Sequence, residues 1–211
     1  MKLHNANLSP NALRVRAVIF ELGLDVEIVD VDLRGGGNKT PDYLAMNPNG
    51  KVPVLEDGDF VVWESRAINA YLASLNPEAG LYPDDARKRA LIDQWSYWQA
   101  IHLGPAIQRI AFERLLKPMF GMGEADETVI EQQMKELAQL LPVLDAALAG
   151  KDWVCGDLSV ADFALASVFV YRAPSRLSLD AYPNIAAWLA RMEARPAWQK
   201  AVEPVLAFGK K

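Results

Sequence analysis

"NGKVPVLEDGDFVVWESRAI", Asn49 to Ile68, contains an apolar, β-branched run that a proline interrupts. Lys51 to Leu55 reads as a buried strand leading into Asp57-Gly58, a dipeptide favoured in tight hairpins. Phe60 to Trp63 follows as the return strand, and a helix begins at Glu64-Ser65. Pro53 lacks the N–H that a sheet ladder needs, so an ordinary central strand should not carry it. A proline at this point needs a reason beyond sheet pairing.

Upstream, Met1 to Asn5 has the pattern of a short strand, and Pro10 to Leu22 has helical apolar spacing that ends at Gly23. Val26 to Val31 alternates apolar with acidic residues, as a half-buried strand does. "RGGGNKTPDYL", Arg34 to Leu44, reads as a loop. The order is βαβ, a connecting segment, then ββα, with a right-handed parallel crossover in the first half. This predicts a small mixed sheet covered by helices.

Beyond "SLNPEAGLYPDDARKRA", Ser74 to Ala90, the pattern becomes almost wholly helical. Helices are expected at Ala86 to about Leu116, with a kink at Gly104-Pro105, and at Glu127 to Leu148. Others are expected at Val160 to about Tyr171 and Ile185 to Ala194, with a short one near Trp198. The fold class is an α/β N-terminal domain followed by an all-α helical bundle. The expected division is 1–79 for the first domain, 80–85 for a linker and 86–211 for the second.

Composition narrows the function classes. A net charge of -5 over 211 residues gives no electrostatic footprint for nucleic acid or an anionic membrane, both of which need clustered Lys and Arg. Charges interrupt the apolar runs well short of a membrane span, and "MKLHNANLSP" lacks a signal-peptide core. Cys155 is the single cysteine, and His4 and His102 do not form a ligand cluster, so neither an intrachain disulfide nor a structural metal is expected. These features predict a cytoplasmic protein of a reducing compartment.

The layout resembles that of the soluble glutathione transferases, whose first domain is thioredoxin-like with a cis-proline. The resemblance is carried by "NPNGKVPVLEDGDFVVWESRAINAYL" (Asn47 to Leu72), "FERLLKPMFG" (Phe112 to Gly121) and "GDLSVADFALAS" (Gly156 to Ser167). "NLSPNALRVR", Asn7 to Arg16, adds a likeness to the serine-type branch, phi- or theta-like and bacterial in style. The resemblance implies a cis Val52-Pro53 bond that turns the backbone groups of Val52 outward, where an extended peptide such as glutathione can pair with them. It implies further that Ser65, standing as a helix N-cap, binds the γ-glutamyl carboxylate, and that Glu64 accepts from the γ-glutamyl ammonium. Lys39 and Lys51 match positions that bind the glycyl carboxylate, with Asn38 where that branch often has histidine.

The thiolate of glutathione is the nucleophile, and a thiol of ordinary pKa is only a few per cent ionised at neutral pH. Ser9 matches the family's catalytic serine in the pattern Ser-(x)4-Arg-Val, completed by Arg14-Val15. It needs only to donate a hydrogen bond to sulfur. Ser9-Pro10 is also a good cap pair for the first helix, and Asn7 or Asn11 are alternative donors. The first tyrosine is Tyr43 and no cysteine lies near Ser9, so the chain does not resemble the tyrosine- or cysteine-type members. An electrophile is expected where the first domain meets the long helix, with His102, Leu103 and Phe120 as candidate lining.

Three functions fit this reading. The first is conjugation of glutathione, the co-substrate, to hydrophobic electrophiles in detoxification. The second is glutathione-dependent reduction of peroxides or disulfides at the same site, and the third is a binding or scaffold protein without catalysis. A two-fold homodimer is implied, with Trp95, Tyr97 and Trp98 as candidate contacts.

Overall fold

His4 lies at the centre of the sheet in the first of two compact units: it pairs in parallel with Val29 and antiparallel with Val54, which pairs in turn with Trp63. The structure, a computed structural model, describes residues 1–208. Strand β1 (Lys2–Asn5), helix α1 (Pro10–Glu21) and β2 (Glu27–Asp30) form the parallel crossover. Helix α2 (Pro41–Met46) follows, then the hairpin β3 (Val54–Asp57) and β4 (Phe60–Trp63), then α3 (Ser65–Ser74). The strand order is β2-β1-β3-β4, the mixed thioredoxin-like sheet expected of the sequence. α1 and α3 pack together, burying Leu13, Val15, Val18 and Ile19 from one helix and Ile68 and Leu72 from the other. α2 was missed by sequence reading. It is six residues long, and its cue was Thr40-Pro41, in which Thr40 accepts the Tyr43 N–H at 3.3 Å.

Helix α10 (Pro196–Phe208) changes the expected domain division. The chain from Ala194 onward belongs to the first unit, with Met1–Asp85, and the second unit is Ala86–Glu193. α10 lies against α1, where Arg195 Nε donates to Glu21 at 3.1 Å and the Lys200 ammonium stands 4.2 Å from the Phe20 ring centre. The helix expected near Trp198 is thus 13 residues long and part of the N-terminal core.

The second unit contains α4 (Ala86–Trp98), α5 (Gly104–Ala111), α6 (Lys117–Met119), α7 (Glu127–Leu148), α8 (Val160–Val168) and α9 (Pro183–Glu193). The expected kink at Gly104-Pro105 is instead a π turn. The Gly104 N–H reaches the Gln99 carbonyl, five residues back, and the Lys117 N–H likewise reaches Phe112. Each turn is followed at once by a proline, Pro105 or Pro118. A proline has no N–H and its ring collides with the carbonyl four residues earlier; one extra residue in the turn removes the collision without ending the helix. Gly104 itself is required, because a Cβ there would stand 2.7 Å from the Gln99 backbone carbonyl oxygen.

Two buried carboxylates organise this unit. Asp162 is fully buried and accepts at 3.0 Å from the Val154 and Ser159 N–H groups, the Ser159 hydroxyl and the Trp188 indole N–H. Glu113, 2% exposed, accepts from Lys117 at 2.8 Å and from the Asp126 N–H at 3.1 Å, which ties α6 to the start of α7. Those two donors hold the Glu113 carboxyl below the usual carboxylate range, against burial that raises it. A carboxyl whose folded pKa is depressed adds stability above its unfolded value of about 4.3, and that stability is lost as the pH falls through the folded value. Glu113→Gln is therefore expected to melt earlier than wild type at pH 7 and to converge with it at pH 3. Calorimetry at both pH values tests this, and a gap that does not narrow in acid would remove the electrostatic account.

Candidate functional site

The register His4–Val54–Trp63 sets the site at one end of the first unit's sheet. The C-terminal end of β1, the approach to β3 and the exit of β4 all lie there. Ser9, Val52-Pro53 and Glu64-Ser65 sit one to five residues beyond that row, so the fold gathers three segments that are far apart in sequence.

Ser9 is half-buried at the N-cap of α1, where its hydroxyl oxygen accepts the Ala12 N–H at 3.3 Å. Capping uses a lone pair and leaves the hydroxyl proton free to be donated. The Asn7 amide already donates to Asp30 and its carbonyl accepts from Asn5 at 3.1 Å, which makes Asn7 the weaker of the alternative donors.

The Val52-Pro53 peptide is cis, as the resemblance implied. β3 begins at Val54, and no hydrogen bond among the described residues uses the Val52 N–H or C=O. This backbone pair can therefore bind an extended peptide. Its approach is held in place by side chains that sequence reading did not single out. The Lys51 carbonyl accepts from Tyr43 Oη at 2.9 Å and from Asn47 Nδ2 at 2.8 Å. Burial pushes the Tyr43 hydroxyl up to about 12, so it stays a neutral donor at physiological pH.

Glu64, not Ser65, occupies the N-cap of α3, which corrects the expected placement. Glu64 adopts φ 73° and ψ 110°, makes no side-chain cap and presents an exposed carboxylate. A non-glycine residue at positive φ stores about 1–3 kcal/mol and is found preferentially at ligand clamps. Ser65 is the first helical residue and is buried. Its hydroxyl accepts from Arg14 Nη1 at 3.1 Å, which turns the hydroxyl proton away from the guanidinium.

Arg14 is the main residue that sequence reading missed: it served there only as a landmark after Ser9. The available signal was a pair of arginines, Arg14 and Arg16, set in the apolar run Ala12, Leu13, Val15, Ala17 and Val18. Arg14 is fully buried, and burial, with the Arg66 charge adding to it, lowers its pKa well below the usual guanidinium range while Glu64 opposes the shift. Burial likewise lowers Arg66, again opposed by Glu64. The fully buried Arg14 cation against Ser65, at the N-terminus of α3, makes this a favourable place for an anion.

Lys39 and Lys51 are exposed and lie on either side of Gly50, with Lys39 Nζ 2.7 Å from where a Cβ on Gly50 would stand. Asn38 uses its amide N–H on the Gly50 carbonyl at 2.6 Å, so it shapes this loop instead of presenting that donor to a ligand. In the second unit, His102 and Phe120 are exposed, Phe120 by 46%, whereas Leu103 is fully buried in the helical core and cannot line a pocket as expected.

Comparison with known proteins identifies the family. The family profile for the N-terminal domain of glutathione S-transferases matches residues 1–74, and that for the C-terminal domain matches residues 103–196. Glutathione S-transferase 3 of Zea mays is 40% identical over 97% of this chain and 94% of its own length. The glutathione S-transferase of Hyoscyamus muticus is 36% identical over 96% of this chain and 98% of its own. Among solved structures, maize glutathione S-transferase I in complex with an atrazine glutathione conjugate superposes with a TM-score of 0.88 at 35% identity, covering 96% of each chain. A theta-class glutathione S-transferase from Xanthomonas axonopodis pv. citri with glutathione bound gives 0.87 at 32% identity, over 95% of this chain and 96% of that one.

Proposed function

Since the chain belongs to the glutathione S-transferase family, we propose that it binds glutathione at the end of the first unit's sheet and transfers the thiolate to hydrophobic electrophiles. The observation that carries this is the convergence there of the Ser9 hydroxyl, the unused Val52 backbone pair and the α3 N-terminus over Arg14. In this reading the cysteinyl unit of glutathione adds to Val52 as a strand would, beside the cis Pro53. The γ-glutamyl carboxylate takes the Ser65 hydroxyl and the helix N–H groups, the Glu64 carboxylate takes the γ-glutamyl ammonium, and Lys39 with Lys51 binds the glycyl carboxylate. Ser9 donates to sulfur.

A shift of the thiol pKa by about 2 units needs roughly 2.7 kcal/mol of preference for the thiolate. One hydroxyl donor together with the N-terminus of α1 is a sufficient source. The thiolate then attacks the electrophilic carbon, forming an S–C bond while the leaving group departs with its electron pair. The protein works in this proposal as a cytoplasmic two-fold homodimer in detoxification. Tyr97 on α4 is 60% exposed beside the paired, half-buried Trp95 and Trp98, which supports a contact surface on that helix.

Titration calorimetry with glutathione, followed by turnover of an activated aryl halide, tests the proposal. Binding and conjugation are both expected. Lys39→Ala with Lys51→Ala should weaken glutathione by about tenfold, with a smaller effect at high salt, as expected for exposed cations on a carboxylate. Absence of binding in wild type would overturn the reading, and binding without turnover of any electrophile or peroxide would favour the scaffold alternative.

A further inference from the structure

Arg16 takes no part in the chemistry above, yet it is 2% exposed and its guanidinium faces the turn that carries Ser9. It donates to the Asn5 side-chain carbonyl, to the Ala6 carbonyl at 3.5 Å and to the Asn7 carbonyl at 3.2 Å. The Ala6 carbonyl also receives the Ser9 N–H at 2.9 Å. From the other side, the exposed Asp30 carboxylate at the end of β2 accepts from the side-chain amides of both Asn5 and Asn7. Residues 5 to 7 are thus held between a buried cation and an anion, immediately before the serine.

The same guanidinium reaches the last helix. Arg16 Nε and Nη2 donate to the Ala201 carbonyl of α10 at 3.3 and 3.0 Å. A buried guanidinium that stays charged and meets several carbonyls in a fixed fork leaves the attached backbone little freedom. Freedom matters here, because a hydroxyl-to-sulfur bond depends on placement and an error near 1 Å can cost about 100-fold in rate.

We propose that Arg16 is a positioning residue for Ser9: it fixes residues 5–7 in one arrangement and makes that arrangement depend on the docked C-terminal helix. The proposal rests on the glutathione-transferase reading. It differs from a purely structural role for Arg16 in one respect. Loosening the clamp should disturb the state of the bound thiol, not the grip on the two ends of glutathione, whose proposed contacts lie elsewhere.

The test is the ultraviolet titration of bound glutathione, following thiolate absorbance against pH at saturating glutathione. It compares wild type, Ser9→Ala, Arg16→Met, Asp30→Ala and the double variant Ser9→Ala/Arg16→Met. Arg16→Met and Asp30→Ala are each expected to raise the bound thiol's pKa by about one unit, or roughly threefold less thiolate at pH 7 for a thiol that starts near 6.5. Their glutathione affinity at pH 5.5, where the thiol is protonated, should match wild type. The double variant should titrate like Ser9→Ala alone, since the effect acts through Ser9. If Arg16→Met does not fold, Asp30→Ala at its exposed site carries the same test. Folded clamp variants with a wild-type thiol pKa, or shifts that add to that of Ser9→Ala, would overturn the proposal and leave the transferase reading standing. A wild-type thiol that titrates like free glutathione, or a Ser9→Ala variant that titrates like wild type, would remove the underlying mechanism as well.

Discussion

Ser9→Ala is expected to bind glutathione and to lose about 50-fold in kcat/KM near pH 6.5, approaching about 100-fold at lower pH, the consequence of a two-unit rise in thiol pKa. The hydroxyl is a side-chain donor at the α1 N-terminus that both sequence and structure leave available for sulfur, while its oxygen caps Ala12. The loss should depend on pH. A thiol lowered to about 6.5 in wild type is ionised at neutrality, whereas one restored to about 8.5 is not, and by pH 9.5 both are. The deficit should therefore shrink steadily as the pH rises, and a kcat/KM profile from pH 6 to 9.5 measures it. A deficit independent of pH would point to lost geometry and exclude loss of thiolate. Removing the cap costs about 1 kcal/mol of stability, too little to unfold a domain.

Asp162→Ala should have the largest effect on folding. Four donors converge on that carboxylate at 3.0 Å, and two of them are backbone N–H groups that have no other partner among the described residues. Alanine leaves all four unsatisfied next to Trp188, which is itself fully buried. A loss of about 3–5 kcal/mol is expected, the range for breaking a buried charged network. That is a large share of the 5–15 kcal/mol that holds a typical domain. Urea unfolding at pH 7 measures it. The residue belongs to the second unit and no proposed glutathione contact does, so the protein that still folds should bind glutathione as wild type does. A loss below about 1 kcal/mol would mean that water replaces the carboxylate.

Ser9 was visible in the sequence, and Asp162 lies within the quoted stretch Gly156 to Ser167, because each sits in a short motif whose spacing has a local cause. Ser9-Pro10 and Ser159-x-x-Asp162 are helix starts, and the periods around them are clear. Pro53 was legible for the same reason: a proline in a strand pattern conflicts with the ladder. What the sequence did not reveal depends on contacts between distant segments. Arg14 and Arg16 have the same side chain two residues apart, and only the folded packing separates one that braces Ser65 from one that reaches Ala201. Leu103 looked like pocket lining because an apolar residue at helical spacing carries no label for which side it faces. The cap of α3 was misplaced by one residue, since a glutamate at φ 73° is held there by its surroundings and by no preference of its own. The π turns escaped because periodicity cannot register one extra residue in a helix that continues.

The first unit is built from both ends of the chain, and this constrains how a ribosome can make it. A chain emerging N-terminus first would ordinarily complete its first domain before the second. Here the carbonyl that receives Arg16 is separated from it by 185 residues, with the entire second unit encoded between them. The contiguous helical unit can therefore mature while the N-terminal sheet is still waiting for its final helix. Until that helix leaves the exit tunnel, Arg16 lacks the Ala201 carbonyl that accepts from it in the folded chain. If the proposed clamp operates, nascent and truncated chains lack part of the thiol-activating geometry, and a C-terminal fusion is attached to the segment on which that geometry depends.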